Sequence, residues 1–295
     1  SEVIQEFADY INENDDSVFI EVYGGLQLGG DRSMMDQILA DTLEIAVISA
    51  VLQATVVPEM NVLSLPMVFD SETHFYNVVH DEEFFNMLAS IAREKAGYEV
   101  ISAIGGMGRG ILNKVRPIRT PEDLRGLTLR VIEGPLFTDI WSAQGAITAT
   151  IPLPELYAAL QQGVVDAEDN TIDMSYVMGL TELQQYATDL GMSYQVNPVV
   201  VSQGSWAKLN DEQRELFRKA GQEMDAKYYE RYLQMKSFMM NKASEEHGVE
   251  IIKRDELTEE ELSLWRENAQ PVIEKYTAGI NPEFNELFWT LVEEY

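Results

Sequence analysis

Leu129-Arg130-Val131 places a guanidinium inside an apolar run, Leu127 to Ile132, shortly after a helix start at Thr120-Pro121-Glu122-Asp123. A strand there would lift Arg130 into a pocket, and a buried arginine needs an anion. Guanidinium is a planar fork of donors that matches a carboxylate bidentately, and the charge-assisted pair is stronger than a neutral hydrogen bond. Further on, Gly163-Val164-Val165-Asp166-Ala167-Glu168-Asp169-Asn170 is a second strand-like run that ends on polar groups. Both runs are expected to deliver side chains to one cleft. The partner of Arg130 is either a ligand's carboxylate or one of the chain's many Asp and Glu residues.

Other chemistry is harder to place. Gly105-Gly106-Met107-Gly108-Arg109-Gly110 suggests a phosphate loop, but such a loop must open a helix, and here Ile111, Leu112 and Val115 continue as a strand. The glycines are better read as a backbone crossing between lobes, with Arg109 pointing into the gap. His74, His80 and His247 are too far apart for a helical metal pair and read as surface residues. Glu168 and Asp169 are adjacent on a strand and face opposite sides, which makes a poor acid/base dyad. No Ser, Thr or Lys stands in a nucleophile motif. Binding without metal or cofactor is the expected function. The rival is a sugar-acid or keto-acid lyase using Glu168 or Asp169 as base.

The 295 residues, 45% of them hydrophobic, can bury a large core and build two lobes. With 21 basic against 50 acidic residues the formal net charge is -29, which argues against nucleic acid and against anionic membranes. Local basic groups can still hold an anion, because screening at physiological salt acts over roughly 8 Å. There are no cysteines, hence no disulfide and no thiolate nucleophile. The longest apolar run, Ala46 to Val57, is interrupted by Ser49, Gln53 and Thr55 and is too short for direct membrane insertion. The chain opens at Ser1 with no signal peptide in it, so it reads as processed or truncated.

The elements follow from periodicity and caps. Val3, Ile4, Phe7, Ala8 and Ile11 make an amphipathic helix, Phe19 to Tyr23 a strand, Gly30-Asp31 to Ala40 a helix, and Leu43 to Ile48 a strand. Helices near Glu72 to His80 and Phe84 to Lys95 precede a strand, Tyr98 to Ile104. This alternation predicts a mostly parallel sheet covered on both faces. Leu136 to Gln144 is a helix with Trp141 in the core. Pro154 opens another that Gly163 ends, a short helix follows near Met174, and Val199 to Ser202 is a strand. Asn210 with Gln213 caps a helix that Gly248 closes, roughly 57 Å long at 1.5 Å per residue and so long enough to run across two lobes. Ile251-Ile252 forms a small strand, and helices start at Thr258 and Asn281.

Three segments carry a family likeness. Gly25-Leu26-Gln27-Leu28-Gly29-Gly30-Asp31-Arg32, Ile118 to Val131 and Glu155 to Asp166 resemble, in order and spacing, the solute-binding subunits of tripartite ATP-independent periplasmic (TRAP) transporters. The resemblance implies an α/β, two-lobed periplasmic binding protein with a long helix spanning both lobes. It also implies a cleft that closes on a carboxylate-bearing small molecule, an organic or sugar acid. The ligand would pass to an ion-gradient-driven membrane permease. On this pattern Arg130 clamps the carboxylate, Arg109 is the second cleft arginine and Asn170 reads a neighbouring oxygen. Ser49, Glu59, Glu133, Tyr194, Gln195 and Asn197 fall at cleft edges, where a structural role is an equal alternative. Residues 1–106 with 196–235 would form one lobe, and 107–195 with 236–295 the other. A periplasmic monomer is expected; a ligand-presenting sensor would share the same pocket.

The sequence departs from that family in three places. Gln-Glu-Asn-Pro becomes Glu168-Asp169-Asn170-Thr171, adding charge beside the pocket. Asp41 replaces a glycine and must tolerate the left-handed conformation. The strand that family members carry before the first helix is missing, so the first lobe should either recruit another strand or display an open groove.

Overall fold

The computed structural model describes residues 2–25 and 27–295; Leu26, in the first of the three segments above, lies outside them. The first half contains α1 (Glu2–Asn14), α2 (Asp31–Leu39), β1 (Ile45–Val47), α3 (Ala50–Gln53), α4 (Glu72–Val79), α5 (Glu82–Ala96), β2 (Tyr98–Asn113), β3 (Thr128–Val131), α6 (Pro135–Ala143) and β4 (Ile147–Thr150). The second contains α7 (Leu156–Gln162), β5 (Ala167–Asn170), α8 (Ile172–Val177), β6 (Tyr186–Ser202), α9 (Gln203–Lys208), α10 (Asp211–His247), β7 (Glu250–Lys253), α11 (Glu259–Thr277) and α12 (Pro282–Glu294). Local chemistry accounts for many of the ends. Asp81 accepts from the backbone of Glu83 and Phe84 to start α5, and Gly97 closes it at φ 74°. Asp41 takes the left-handed conformation, φ 54°, and its Oδ1 accepts from Gly204 N at 2.7 Å.

The strands form one sheet in the order β1-β6-β2-β5-β3-β4, with β7 on the other side of part of β6. It is mixed. β3 runs parallel to β4 and β5, and β6 to β7, whereas β2 pairs antiparallel with both β6 and β5, and β1 antiparallel with β6. The expectation of mostly parallel pairing is thus corrected at the centre. Tyr98 to Ile104 and Val199 to Ser202 are the ends of two strands far longer than periodicity indicates. The glycine cluster lies inside β2 because β6 comes too close for side chains. A Cβ on Gly105 would lie 2.3 Å from Gln195 O, and one on Gly110 2.0 Å from Thr188 O. The ladder shifts register between Gly105 and Met107 and again where Asp189 to Met192 bulge out of β6.

Phe19 to Tyr23, expected as a strand, is extended but unpaired; Asn12 instead bonds the amide and carbonyl of Ile20 at 2.7 and 2.9 Å. A strand needs a neighbouring ladder, and β1, the edge of the sheet, pairs only with β6 among the described residues.

α10 is 37 residues long, about 56 Å, and buries different neighbours along its length. Phe217, Ala220 and Met224 pack with Val3, Phe7 and Ile11 of α1 and with Ile101, Ile104, Val199 and Val201 of the sheet. Met240 and Ala243 pack instead with Leu112, Ile172, Ala187 and Val249. Between them the Lys236 ammonium bonds Glu72 of α4 and reaches Asp189 Oδ2 of the bulge at 2.7 Å. α11 joins α6 through Trp265 and Trp141, rings 6.5 Å apart, and α12 lays Phe284 and Phe288 against Phe84 of α5. No helix among the described residues is long and apolar enough to cross a membrane.

Gly221 is where α10 meets β2 most closely: a Cβ there would lie 2.0 Å from the carbonyl oxygen of Ile101. Gly221→Ala gains about 1 kcal/mol of helix propensity but forces the backbones apart, a strain typically costing about 1–3 kcal/mol or more. A lower urea midpoint is the expected outcome.

Candidate functional site

β3 and β5 are adjacent parallel strands in which Arg130 and Glu168 are Cα partners, and β2 lies on the far side of β5, pairing Ile111 with Asp169. The three strands bring Arg130, Arg109, Glu168, Asp169 and Asn170 together, and all five are buried. Alternation sends neighbours in β5 to opposite faces. Asp169 faces Arg109, while Glu168 faces α8 and Gln184.

The two arginines have different surroundings. Arg109 is committed within the protein: Nε and Nη2 donate to the Asp169 carboxylate at 3.0–3.2 Å, Nη2 also to Asp169 O at 2.7 Å, and Nη1 to Gln195 Oε1 at 2.6 Å. Its guanidinium lies 5.2 Å from the centre of the Phe137 ring. Of the five N–H groups of a guanidinium, one on Nη1 is left over. Arg130 is 3% exposed, and its Nε donates to Ile151 O at 2.9 Å. Among the described residues none accepts from its Nη1 or Nη2, and no carboxylate lies within ion-pairing distance. Burial pulls its pKa below the usual arginine value; Arg109 adds to this, and Asp169 and Glu168 oppose it. The guanidinium nonetheless stays protonated.

The polar groups around the arginines are held by one another. Glu168 accepts from Gln184 Nε2 at 2.6 Å, Ser175 Oγ at 2.9 Å and Asn170 Nδ2 at 3.0 Å, and burial raises its pKa against the pull of these donors and of Arg130. Asn170 Oδ1 accepts from Thr171 N at 2.9 Å, so the amide's orientation is set.

The remaining sequence candidates divide. Gln195 and Asn197 are half-buried on one face of β6, Gln195 bonded to Arg109 and Asn197 with no side-chain partner among the described residues. Ser49, half-buried, starts α3, and its amide donates to Asp31 Oδ2 at 3.0 Å. Glu133 is exposed beside Gly134, where a Cβ would lie 2.6 Å from Val51 Cγ1, so this loop and α3 meet. Glu59 is fully buried and bonds Lys95 at 2.7 and 2.9 Å and Asn281 N at 2.9 Å. Tyr194 is 2% exposed and stacks on Phe75 with ring centres 4.7 Å apart, a core position. The three histidines are half-buried rather than on the surface: His74 contacts Val292 O at 3.1 Å, His80 Tyr76 O at 3.0 Å and His247 Thr181 Oγ1 at 2.7 Å. Sequence reasoning missed Asp169 as the partner of Arg109, and Ser175 and Gln184 as partners of Glu168. The facing of Asp169 needs only strand alternation, but its pairing with Arg109 needs the register of β2 on β5.

The family model for bacterial extracellular solute-binding protein, family 7 (DctP), matches residues 1–279. The chain belongs to this family. A solute-binding protein of Chromohalobacter salexigens is 26% identical over 286 residues, which cover 96% of this chain and 82% of that one. A TRAP periplasmic solute-binding protein from Sulfitobacter sp. NAS-14.1, solved with bound β-D-galacturonate, superposes with a TM-score of 0.87 at 25% identity, covering 100% of this chain and 95% of that chain. Another from Chromohalobacter salexigens, solved with D-glucuronate, gives 0.89 at 23% identity, covering 100% and 95%. The fold is therefore that of the two-lobed TRAP binding proteins, with α10 as the helix spanning both lobes. The family binds solutes, which sets the lyase reading aside.

Asp169→Asn leaves Arg109 buried without a charge partner. Breaking a buried pair from one side typically costs about 3–5 kcal/mol, whereas replacing both partners with apolar groups is much milder. Urea unfolding should show a large loss for Asp169→Asn and a substantial recovery in the Arg109→Met, Asp169→Leu double variant.

Proposed function

We propose that the interlobe cleft captures a hydroxylated monocarboxylate, a sugar acid of the uronate or aldonate type, for delivery to a membrane permease. The observation that carries this reading is the contrast between the arginines: the Arg109 charge is neutralised by Asp169, while Arg130 keeps its terminal nitrogens without an acceptor from the described residues. One uncommitted guanidinium matches one carboxylate bidentately. A diacid would bring a second charge to a place where the second guanidinium is already paired. The leftover N–H of Arg109, the Asn170 amide, Gln195 and Asn197 are suited to hydroxyl oxygens. Galacturonate in the Sulfitobacter relative agrees with a ligand of this kind. Ser49 and Glu133 flank the contact at Gly134, where the lobes would close over the ligand, whereas Glu59 and Tyr194 serve the core.

In this reading the chain works outside the cytoplasm as a monomer. Its lobes are 1–106 with 196–235 and 107–195 with 236–295, except that α12 packs on α4 and α5 and so moves with the first. The boundaries coincide with the register shift of β2 on β6 at Gly105 to Met107, where bending costs few hydrogen bonds. Closure is a hinge motion, and the ligand favours the closed form only through contacts that form there.

Charged hydrogen bonds are worth about 1.5–3 kcal/mol each, so Arg130→Ala should abolish measurable binding while leaving the fold intact. Arg130→Lys should not restore it, because an ammonium cannot form the bidentate fork. A thermal-shift screen over uronates, aldonates, keto acids, sialic acid and C4-diacids, with neutral sugars as controls, checks this. A ligand at 100 times its Kd adds about 2.7 kcal/mol of stability. Equal shifts in wild type and Arg130→Lys, or the largest shift with a diacid, would contradict the reading.

A further inference from the structure

We propose that ligand capture is coupled to the uptake of a proton by Glu168. This rests on the sugar-acid reading above, because the coupling arises when the ligand's carboxylate takes the Arg130 guanidinium.

Arg130 and Glu168 are Cα partners on adjacent parallel strands, so their side chains leave the sheet on the same face. Glu168 is 0% exposed, and its partners, Gln184, Ser175 and Asn170, are all neutral. The two side chains are thus buried opposite charges that balance across the strands without forming an ion pair. The other charged groups nearby do not replace Arg130. On β2, Arg109 is neutralised by Asp169 of β5. On α8 the charged group is Asp173, itself an acid whose pKa is raised by burial, and Lys236 of α10 is held by Glu72 and Asp189.

A ligand carboxylate on Arg130 cancels the guanidinium's field at Glu168. Burial raises the Glu168 pKa against three neutral donors, Gln184, Asn170 and Ser175, and against the charge of Arg130, so removing the guanidinium's share shifts the balance further towards the acid. With that opposition removed, a carboxylate in a low-dielectric site is neutralised most cheaply by taking a proton from solvent.

The hydrogen bonds suit both protonation states. While Glu168 is ionised, the Ser175 hydroxyl donates to Glu168 Oε1 at 2.9 Å. Thr171 O stands 3.1 Å from the same hydroxyl, so the hydrogen can turn to that carbonyl and leave Ser175 Oγ to accept from a protonated Glu168. Gln184 Oε1 is buried with no hydrogen-bond partner, so a flip of that amide exposes a second acceptor to Glu168 and moves its donor elsewhere.

Proton uptake on binding fixes the sign of the pH dependence. Affinity falls as pH rises, by up to about tenfold in Kd per pH unit, in the window between the free and ligand-bound pKa values of Glu168. Glu168→Gln carries no titrating proton and should bind with a Kd that does not change over that window.

The test is isothermal titration calorimetry of the whole chain with D-galacturonate, D-glucuronate and L-gulonate, from about pH 5 to about pH 8, at each pH in two buffers that titrate there. The carboxyl groups of these acids stay ionised there. Because the two buffers differ in protonation enthalpy, the difference in binding heat counts the protons taken up. Wild type should take up protons on binding somewhere in this range, and Glu168→Gln none. Ser175→Ala, which keeps the acid but removes its nearest acceptor, should take up fewer than wild type and serves if Glu168→Gln does not fold. Binding that Arg130→Ala abolishes, with equal heats in both buffers at every pH, would overturn the coupling and leave the sugar-acid reading standing. No binding of any of the three acids would overturn both.

Discussion

A guanidinium in the protein interior must be compensated, and this site holds two of them with a single ion-paired carboxylate. Asp169 takes Arg109 in a fork of charged hydrogen bonds, completed by Gln195 and by the face of Phe137. What remains is a second buried cation, Arg130, fastened through Nε alone. The first pair is architecture, and the second cation is the group proposed to recognise the ligand. They are separable because the Asp169 carboxylate is taken up by Arg109. The chain's net charge of -29 does not change this, since bulk charge is screened within roughly 8 Å while a buried pair is not.

The scaffold that fixes this geometry is the β2–β6 ladder. Its close approach at Gly105 and Gly110 excludes side chains, and the same strands carry Arg109, Gln195 and Asn197. Irregularities at Gly106 and at Asp189 to Met192 interrupt the regular pairing of this ladder on either side of Arg109. α10 bridges this region, and Lys236 joins it to α4 and to the bulge through Glu72 and Asp189.

Glu168 is an acid buried among neutral donors, beside Arg130 on the neighbouring strand. Burial raises its pKa against the pull of those donors and of Arg130, and the proposed coupling to ligand rests on that balance.

Much was written locally. The capping boxes at Asn210 and Thr258, the left-handed Gly97, Gly163 and Gly248, and the apolar spacing of α1 fixed where helices begin and end, because those signals act within a few residues. The apolar run around Arg130 likewise marked a buried cation. The direction and length of the central strands were not legible, since glycines that read as breaks are held in a ladder by a strand some ninety residues away, at Gly105 opposite Val196. Phe19 to Tyr23 has strand composition yet pairs with no strand among the described residues; the Asn12 side chain takes the amide and carbonyl of Ile20 instead. Above all, which arginine would be paired was decided by tertiary structure. Residue type makes both Arg109 and Arg130 seek a carboxylate, but only the register of β2 on β5 brings Asp169 to one of them and leaves the other unpaired.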